Sequence, residues 1–371
     1  MFGLSSTTLV LTNGLLGLLA ALLVFRIGWM LAGPRDAFRG AVASLFLFQL
    51  NPVAMVMPSK LELQGGIILV TLALLFFISL ALGTEHWSTF MRAIVLALAW
   101  SVLLGVNVPT AVMILIAMVP WVFFSRRPVP ALGIVVTMFL LGSAIFLGFW
   151  TLVCAGLRHW AVVGAPAEGG RLVWRFLAQG FWQSLHGAEA AFVHRLLTLN
   201  GWLSPFLFIS GVWVTGKSVS AMLRDRRANI ADLMALVAIL ILADLLLTRG
   251  KDVWLGPWHL LSLTGLWCPL LGRELVRQGS LHKTGFRLTA GVSFVLVALP
   301  LAFFGQNVGW AVSEPLGSPV LVAVLLAALA ADGVSRFLNV SRSMTESERA
   351  HAVLTGSSLV YFLLLDCLFF R

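Results

Sequence analysis

The sequence predicts an all-α protein, a polytopic bundle of transmembrane helices, and two observations lead to this prediction. Hydrophobic residues make up 60% of the 371 residues, and the mean hydropathy is +0.98, far above that of soluble domains. Apolar runs of about 17 to 25 residues recur along the whole chain, and each is long enough to cross the hydrocarbon core of a bilayer. Fold class therefore follows from composition and run length together.

The apolar runs predict about twelve spans. Their approximate ranges are 8–27, 39–57, 66–84, 90–106, 108–124, 131–157, 202–219, 229–248, 256–272, 288–304, 318–334 and 352–370. We divide the chain into a transmembrane core (1–157), a long outer loop (158–201) and C-terminal transmembrane helices (202–371). A Ser343-x-x-Glu346 pattern predicts a capping box at the start of the last span.

Loop charges predict the orientation, because cytoplasmic loops of membrane proteins carry an excess of Lys and Arg. Alternate loops fall into two sets, and we assign the strongly basic set to the cytoplasm. That set contains Arg35, Arg39, Arg126, Arg127, Lys217, Arg224, Arg226, Arg227, Arg273, Arg277, Lys283 and Arg287. The other set contains Lys60 with Glu62, the uncharged turn GVNVPT, Arg249, Lys251, Asp252 and Glu314. Met1 is then outside, and we expect a multi-pass protein of a bacterial inner membrane.

The net charge of +10 has two interpretations. One is the cytoplasmic bias just described, together with contact with anionic membrane lipids. The other is binding of a phosphate-bearing substrate outside. Nucleic acid is excluded as a partner, because the basic residues are divided among short loops and form no basic domain. Three Cys residues without Cys/His metal spacing are predicted to be buried small hydrophobic groups.

The outer loop 158–201 is basic although it falls on the outer side, and its sequence predicts an amphipathic helix from Arg171 to Asn200. At 100° per residue, its polar side chains share an arc of about 140°. They are Arg171, Arg175, Gln179, Gln183, His186, Glu189 and His194. Aromatic and aliphatic residues fill most of the opposite face, which is typical of a helix lying in the membrane interface.

Two functions for this helix remain open: a plain membrane-surface helix, or a face that binds a lipid-linked phosphate. In the second, Arg pairs with phosphate oxygens in a bidentate manner. The candidate residues are Arg158, His159, Arg171, Arg175, His186 and His194. The His-x2-Glu-x4-His spacing matches neither zinc-protease motif, so no metal site is expected there.

Glu62 and Lys60 lie in a short polar loop between two apolar runs, within LNPVAMVMPSKLELQGG. One interpretation is a weak exposed ion pair beside a helix end. The other is a general base or metal-binding carboxylate facing the outer surface, since charges at the mouth of a span are rare. Asp244, inside an apolar run, is predicted to be a helix-packing or half-buried carboxylate paired with Arg249 or Lys251, and the alternative is a proton relay.

The first part of the chain, about residues 8–200, resembles the GT-C superfamily of membrane glycosyltransferases, which use polyprenyl-phosphate-linked sugars. The resemblance lies in the order TNGLLGLLAALLVFRIGWML, GPRDAFRG and AVASLFLFQLNPVAMVMPSKLEL, followed by SVLLGVNVPTAVMIL, SRRP and the long outer loop. It implies a sugar transfer in which Glu62, at the family's second acidic position, deprotonates the acceptor hydroxyl. It also carries the phosphate-binding role onto Arg158, Arg171 and Arg175, with Arg or a divalent cation stabilising the leaving phosphate. Lys60, His159, His186 and His194 are further candidates for substrate binding.

The chain departs from the family pattern in two places. It starts directly before what looks like the family's second span, so the first span and the first outer loop, with the principal carboxylate, have no counterpart. Asn107 occupies the region of a later Lys. A shortened sequence, an inactive relative and a membrane protein partner that supplies the missing part are all open. The competing functions are a transporter or flippase, a glycan polymerase for lipid-linked saccharides, and a non-enzymatic assembly partner.

Overall fold

The structure, a computed structural model, describes residues 6–51, 54, 64–83, 88–125, 128–156, 203, 205–248, 260–277, 284–304, 319–338 and 344–369. These ranges contain twelve α-helices. They are α1 (Ser6–Ala32), α2 (Ala37–Gln49), α3 (Gln64–Gly83), α4 (Thr89–Val106), α5 (Val108–Phe123), α6 (Pro128–Gly156), α7 (Pro205–Asp225), α8 (Ile230–Ala243), α9 (Leu261–Arg277), α10 (Thr284–Phe304), α11 (Pro319–Phe337) and α12 (Glu346–Phe369).

The all-α prediction is confirmed over the described residues, where β pairing is limited to an isolated bridge between Ser125 and Ala228. In chain order, the twelve helices correspond to the twelve predicted apolar runs. By length and composition, three described segments can cross a membrane: Leu11–Ala32, Pro128–Gly156 and Phe206–Asp225. These three are consistent with a membrane protein, and the twelve-span topology stays a prediction.

The chain forms two compact units. The first combines Met1–Leu61, Ala190–Val214 and Trp254–Arg371, and the second combines Glu62–Glu189 and Thr215–Val253. Helix α7 begins in the first unit and ends in the second. This grouping joins distant stretches of chain, whereas the predicted division into a core, an outer loop and C-terminal helices follows chain order and stays untested.

In the first unit, α1, α2 and α9 meet at a junction of small residues. The Ser44 side chain of α2 is fully buried and lies against Gly28 of α1 and Gly272 of α9. The Ser44 hydroxyl donates a hydrogen bond to the Gly40 carbonyl at 2.6 Å, which fixes its direction. Small residues allow helix backbones to approach closely, and this is how helices associate in lipid.

Trp267 of α9 is a second packing centre in the first unit. It is buried, and its ring lies where a Cβ on Gly211 of α7 would be. Phe208 of α7 meets the same indole edge-on, with ring centroids 6.0 Å apart.

Helices α10 and α12 approach closely as well, because Gly356 lies directly against the Ala290 carbonyl.

In the second unit, α4 and α6 pack through Trp100, whose Cβ lies 3.1 Å from where a Cβ on Gly142 would be. Helices α5 and α8 are tied by a hydrogen bond, which the buried Trp121 indole Nε1 donates to the Asn229 carbonyl at 2.9 Å. Asn229 also caps α8, and Asp232 completes a capping box with it. Trp100 therefore holds α4 to α6, and Trp121 holds α5 to α8.

The predicted capping box of α12 is wrong by two residues. The Thr345 hydroxyl accepts from the Glu348 backbone N–H at 3.3 Å, and the Glu348 carboxylate accepts from the Thr345 N–H at 2.9 Å. Helix α12 begins at Glu346, so the residue predicted at the third helical position stands at the first. Two overlapping Ser/Thr-x-x-Glu patterns occur here, and the sequence pattern alone does not choose between them.

Candidate functional site

The predicted site residues lie outside the described residues. They are Lys60, Glu62, Arg158, His159, Arg171, Arg175, His186 and His194. The structure therefore places the helix ends that lead into these segments, and the roles of the eight side chains stay predictions. Helix α3 begins at Gln64, just after Glu62 in the chain, and α6 ends at Gly156, just before Arg158.

The turn that leads towards Lys60 and Glu62 starts at a buried residue. Helix α2 ends at Gln49, with Leu50 as its C-cap, and Asn51 is fully buried. The Asn51 carbonyl accepts from the Ala54 N–H at 2.9 Å. The residue before a proline disfavours the α conformation, which explains why the helix stops ahead of Pro52 although the apolar run continues.

Asn107, in the region where the GT-C pattern has a Lys, has a structural role. It is the one residue between α4 and α5, and its extended backbone (φ −157°, ψ 96°) turns the chain. Its side-chain oxygen accepts from the Thr110 N–H at 2.9 Å and caps α5. An Asn at this position is therefore explained by the tight turn itself.

The described residues contain an apolar groove in the first unit, with a volume of about 590 Å³. Four helices contribute its walls: α2, α9, α10 and α12. Its lining residues are Phe38, Arg39, Val42, Ala43, Phe46, Leu47, Leu275, Phe286, Arg287, Ala290, Thr355 and Leu359. This volume lies within the range of about 300–1,000 Å³ that is common for small-molecule sites.

The two arginines of the groove each lie near the start of a helix. Arg39 is in the first turn of α2 and Arg287 in the first turn of α10, so both stand where the helix dipole is positive. The Arg39 side chain is 52% exposed and lies 3.4 Å from the Asp36 carboxylate, which is 36% exposed. Such an exposed pair is weak, so Arg39 remains able to meet another anion.

The sequence interpretation missed this groove because it used Arg39 and Arg287 only to orient the protein. One local signal was present. Phe38, Val42 and Phe46 follow each other at four-residue spacing directly beside Arg39, and all three are exposed. The other walls of the groove come from α9, α10 and α12, more than 200 positions later in the chain. The groove therefore forms only when the chain folds, and the local sequence does not predict it.

A second polar cluster joins α11 to α12. The Arg349 guanidinium is 10% exposed and donates from Nε to Asp332 at 2.9 Å, and Arg336 donates to the other oxygen of the same carboxylate at 2.9 Å. Glu346 lies 3.4 Å from Arg349. The described charges of this cluster are paired with one another, which indicates a structural role.

Metal-binding groups of three or more His, Cys, Asp or Glu side chains do not occur within the described ranges. No protein-family model, curated protein or solved structure matches this chain. The class that the described residues define is an all-helical protein with three helices long and apolar enough to cross a membrane.

Proposed function

We propose that this chain is a multi-pass membrane protein of the GT-C kind in a bacterial inner membrane. Its substrate would be a sugar carried on polyprenyl phosphate, which it transfers to a lipid or polysaccharide acceptor on the outer face. The protein would thus take part in building a cell-envelope polysaccharide. Membrane lipids would surround it, and a membrane protein partner would take part in the transfer.

One observation supports this proposal more than any other: the order of helix ends in the first part of the chain. Helices α1 and α2 are separated by a turn containing Arg35, and α2 ends just before Asn51-Pro52. Helices α4 and α5 are separated by Asn107 alone, and residues 157–200 follow α6. Each of these ends coincides with a step of the GT-C pattern that the sequence resembles.

The proposed chemistry places one carboxylate and several cations outside the membrane. Glu62 would accept the proton of the acceptor hydroxyl as that oxygen attacks the anomeric carbon. The bond from the anomeric carbon to the phosphate oxygen breaks, and polyprenyl phosphate leaves with its negative charge. Arg158, Arg171 and Arg175, or a divalent cation, would stabilise that charge.

A transfer assay tests this proposal with a matched pair of carboxylate variants. Membranes containing the full chain receive a synthetic polyprenyl-phosphate hexose, and the release of polyprenyl phosphate is followed over time. Glu62→Gln should lower the rate by about 100-fold or more, since a positioned general base contributes about 10²–10⁴-fold. Asp225→Asn, at an exposed carboxylate paired with Arg224, should leave the rate unchanged.

Three results would contradict the proposal or redirect it. Equal rates for the wild type and Glu62→Gln, with both proteins inserted at equal levels, remove Glu62 from the chemistry. Movement of the intact donor across the membrane without release of polyprenyl phosphate would identify a flippase. An absence of both release and donor binding would identify an assembly partner.

A further inference from the structure

We propose that the apolar groove of the first unit binds one anionic phospholipid, with its phosphate between Arg39 and Arg287 and one acyl chain along the groove. The described residues that line this groove include none of those proposed for sugar transfer, which lie outside the described residues. The two proposals are therefore tested separately, and either can fail without the other.

The lining chemistry matches the two parts of such a lipid. Among the described lining residues, nine of twelve side chains are apolar, two are arginines and Thr355 is uncharged and polar. Phe286, Leu275 and Leu47 are buried at the base, whereas Phe38 and Phe46 are more than half exposed at the rim. An acyl chain lying between base and rim would cover the exposed rings.

The part of α2 that lines the groove is about as long as one leaflet is thick. From Arg39 to Leu47, α2 rises by about 12 Å at 1.5 Å per residue. Half of a hydrocarbon core about 30 Å thick is about 15 Å. A phospholipid with its phosphate at Arg39 therefore places its acyl chain along the groove within one leaflet, whereas a long polyprenyl chain would extend beyond it.

The positive charges of the groove favour an anionic lipid head group. Arg39 and Arg287 give the groove two guanidinium groups, and the first turns of α2 and α10 add their positive dipole ends. Basic pockets between membrane helices are typical sites for anionic lipid head groups on the cytoplasmic side. Both arginines belong to the loops that the sequence assigns to that side, so the site and the predicted orientation agree.

Lipid retention measured by native mass spectrometry tests the site. The full-length protein is equilibrated in mixed micelles of phosphatidylglycerol and phosphatidylcholine with identical acyl chains, and the bound lipid is counted. The wild type should retain one phosphatidylglycerol in preference to phosphatidylcholine. Arg39→Gln with Arg287→Gln should lower that preference by about thirty-fold, from about 1 kcal/mol for each basic side chain.

Two sets of control variants distinguish lipid binding in the groove from nonspecific attraction of anionic lipid to basic residues. Arg224→Gln with Arg227→Gln removes two exposed arginines of the second unit and should keep the preference. Ala43→Trp fills the groove without changing charge and should abolish retention of either lipid, whereas Ala144→Trp, at an exposed position of α6, should not. Size-exclusion profiles establish that each variant is folded.

The proposal is overturned if the wild type retains both lipids equally, or if the two double arginine variants lose the preference to the same extent. It is also overturned if undecaprenyl phosphate at equal concentration displaces phosphatidylglycerol, because the occupant is then an isoprenoid. If Ala43→Trp does not fold, the double Gln variant decides alone, since both of its positions are exposed.

Discussion

Gly272→Ala tests the small-residue junction of α1, α2 and α9. A Cβ at Gly272 would stand 2.9 Å from the Gly40 carbonyl oxygen and 2.9 Å from the Ser44 backbone nitrogen. Both atoms belong to the backbone of α2 and cannot rotate away. The same Cβ would also meet the Ser44 hydroxyl, which is held by its bond to Gly40. A single methyl group therefore forces two helices apart.

Three terms determine the size of the effect. Overpacking of a well-packed contact costs about 1–3 kcal/mol. Displacing the Ser44 hydroxyl from its acceptor costs about 1 kcal/mol more. Ala is a better helix former than Gly by about 1 kcal/mol, which offsets part of the loss. The expected decrease in the free energy of unfolding is therefore about 1–3 kcal/mol.

Unfolding in mixed micelles, with the SDS fraction increased stepwise, measures this decrease. Gly148→Ala is the matched control, because Gly148 also lies inside a helix and a Cβ there meets nothing within 4 Å. That control should be neutral or up to about 1 kcal/mol more stable than the wild type. The comparison isolates the contact from helix propensity.

A second substitution shows whether the Ser44 hydroxyl is part of the conflict. Adding Ser44→Ala to Gly272→Ala should recover about 1 kcal/mol, since the displaced hydroxyl is gone and the backbone contacts remain. The close-junction explanation is refuted if Gly272→Ala is as stable as Gly148→Ala. It is also refuted if Ser44→Ala lowers stability equally with and without Ala at position 272.

The remaining predictions concern the other helix contacts. Asp332→Ala should lower the free energy of unfolding by about 2–3 kcal/mol in the same SDS titration, because it leaves the largely buried Arg349 charge with the exposed Glu346 as its remaining acidic partner in this cluster. Asp225→Ala, at an exposed pair, should change the free energy of unfolding by less than about 1 kcal/mol, and equal effects of the two substitutions would contradict the distinction. Trp121→Phe should lower the free energy of unfolding by about 1 kcal/mol, because the hydrogen bond to Asn229 is lost. An unchanged free energy of unfolding would show that this bond does not hold α5 to α8. Asn229→Ala should cost about 1 kcal/mol or more by removing the cap of α8, whereas Asn229→Asp should retain most of it.

The positions of the helices could be predicted because the signal is local. An apolar run long enough to cross a membrane has few structures available other than a helix, whatever it packs against. Boundaries were less predictable. The apolar run predicts one span over 39–57, yet α2 ends at Gln49, because Pro52 interrupts the helix while the sequence stays apolar.

The groove and the junction could not be predicted, because each depends on residues that are distant in sequence. Nothing near Ser44 indicates that Gly272 will face it, and nothing near Arg39 indicates Arg287. Charge patterning assigned both arginines to a side of the membrane, which is a property of single loops. Their placement around one groove depends on the packing of four helices, and only the fold supplies that information.

The central claim is that this protein uses polyprenyl-phosphate-linked sugars. Binding of the proposed donor tests that claim most directly. A titration of the purified full chain with a synthetic polyprenyl-phosphate hexose should show saturable binding of one donor. Arg171→Ala with Arg175→Ala should weaken it by tenfold or more, from about 1.5 kcal/mol or more for hydrogen bonds to a charged group. Arg224→Ala with Arg227→Ala should leave it unchanged. Absent saturation, or equal weakening by both pairs, would contradict the claim.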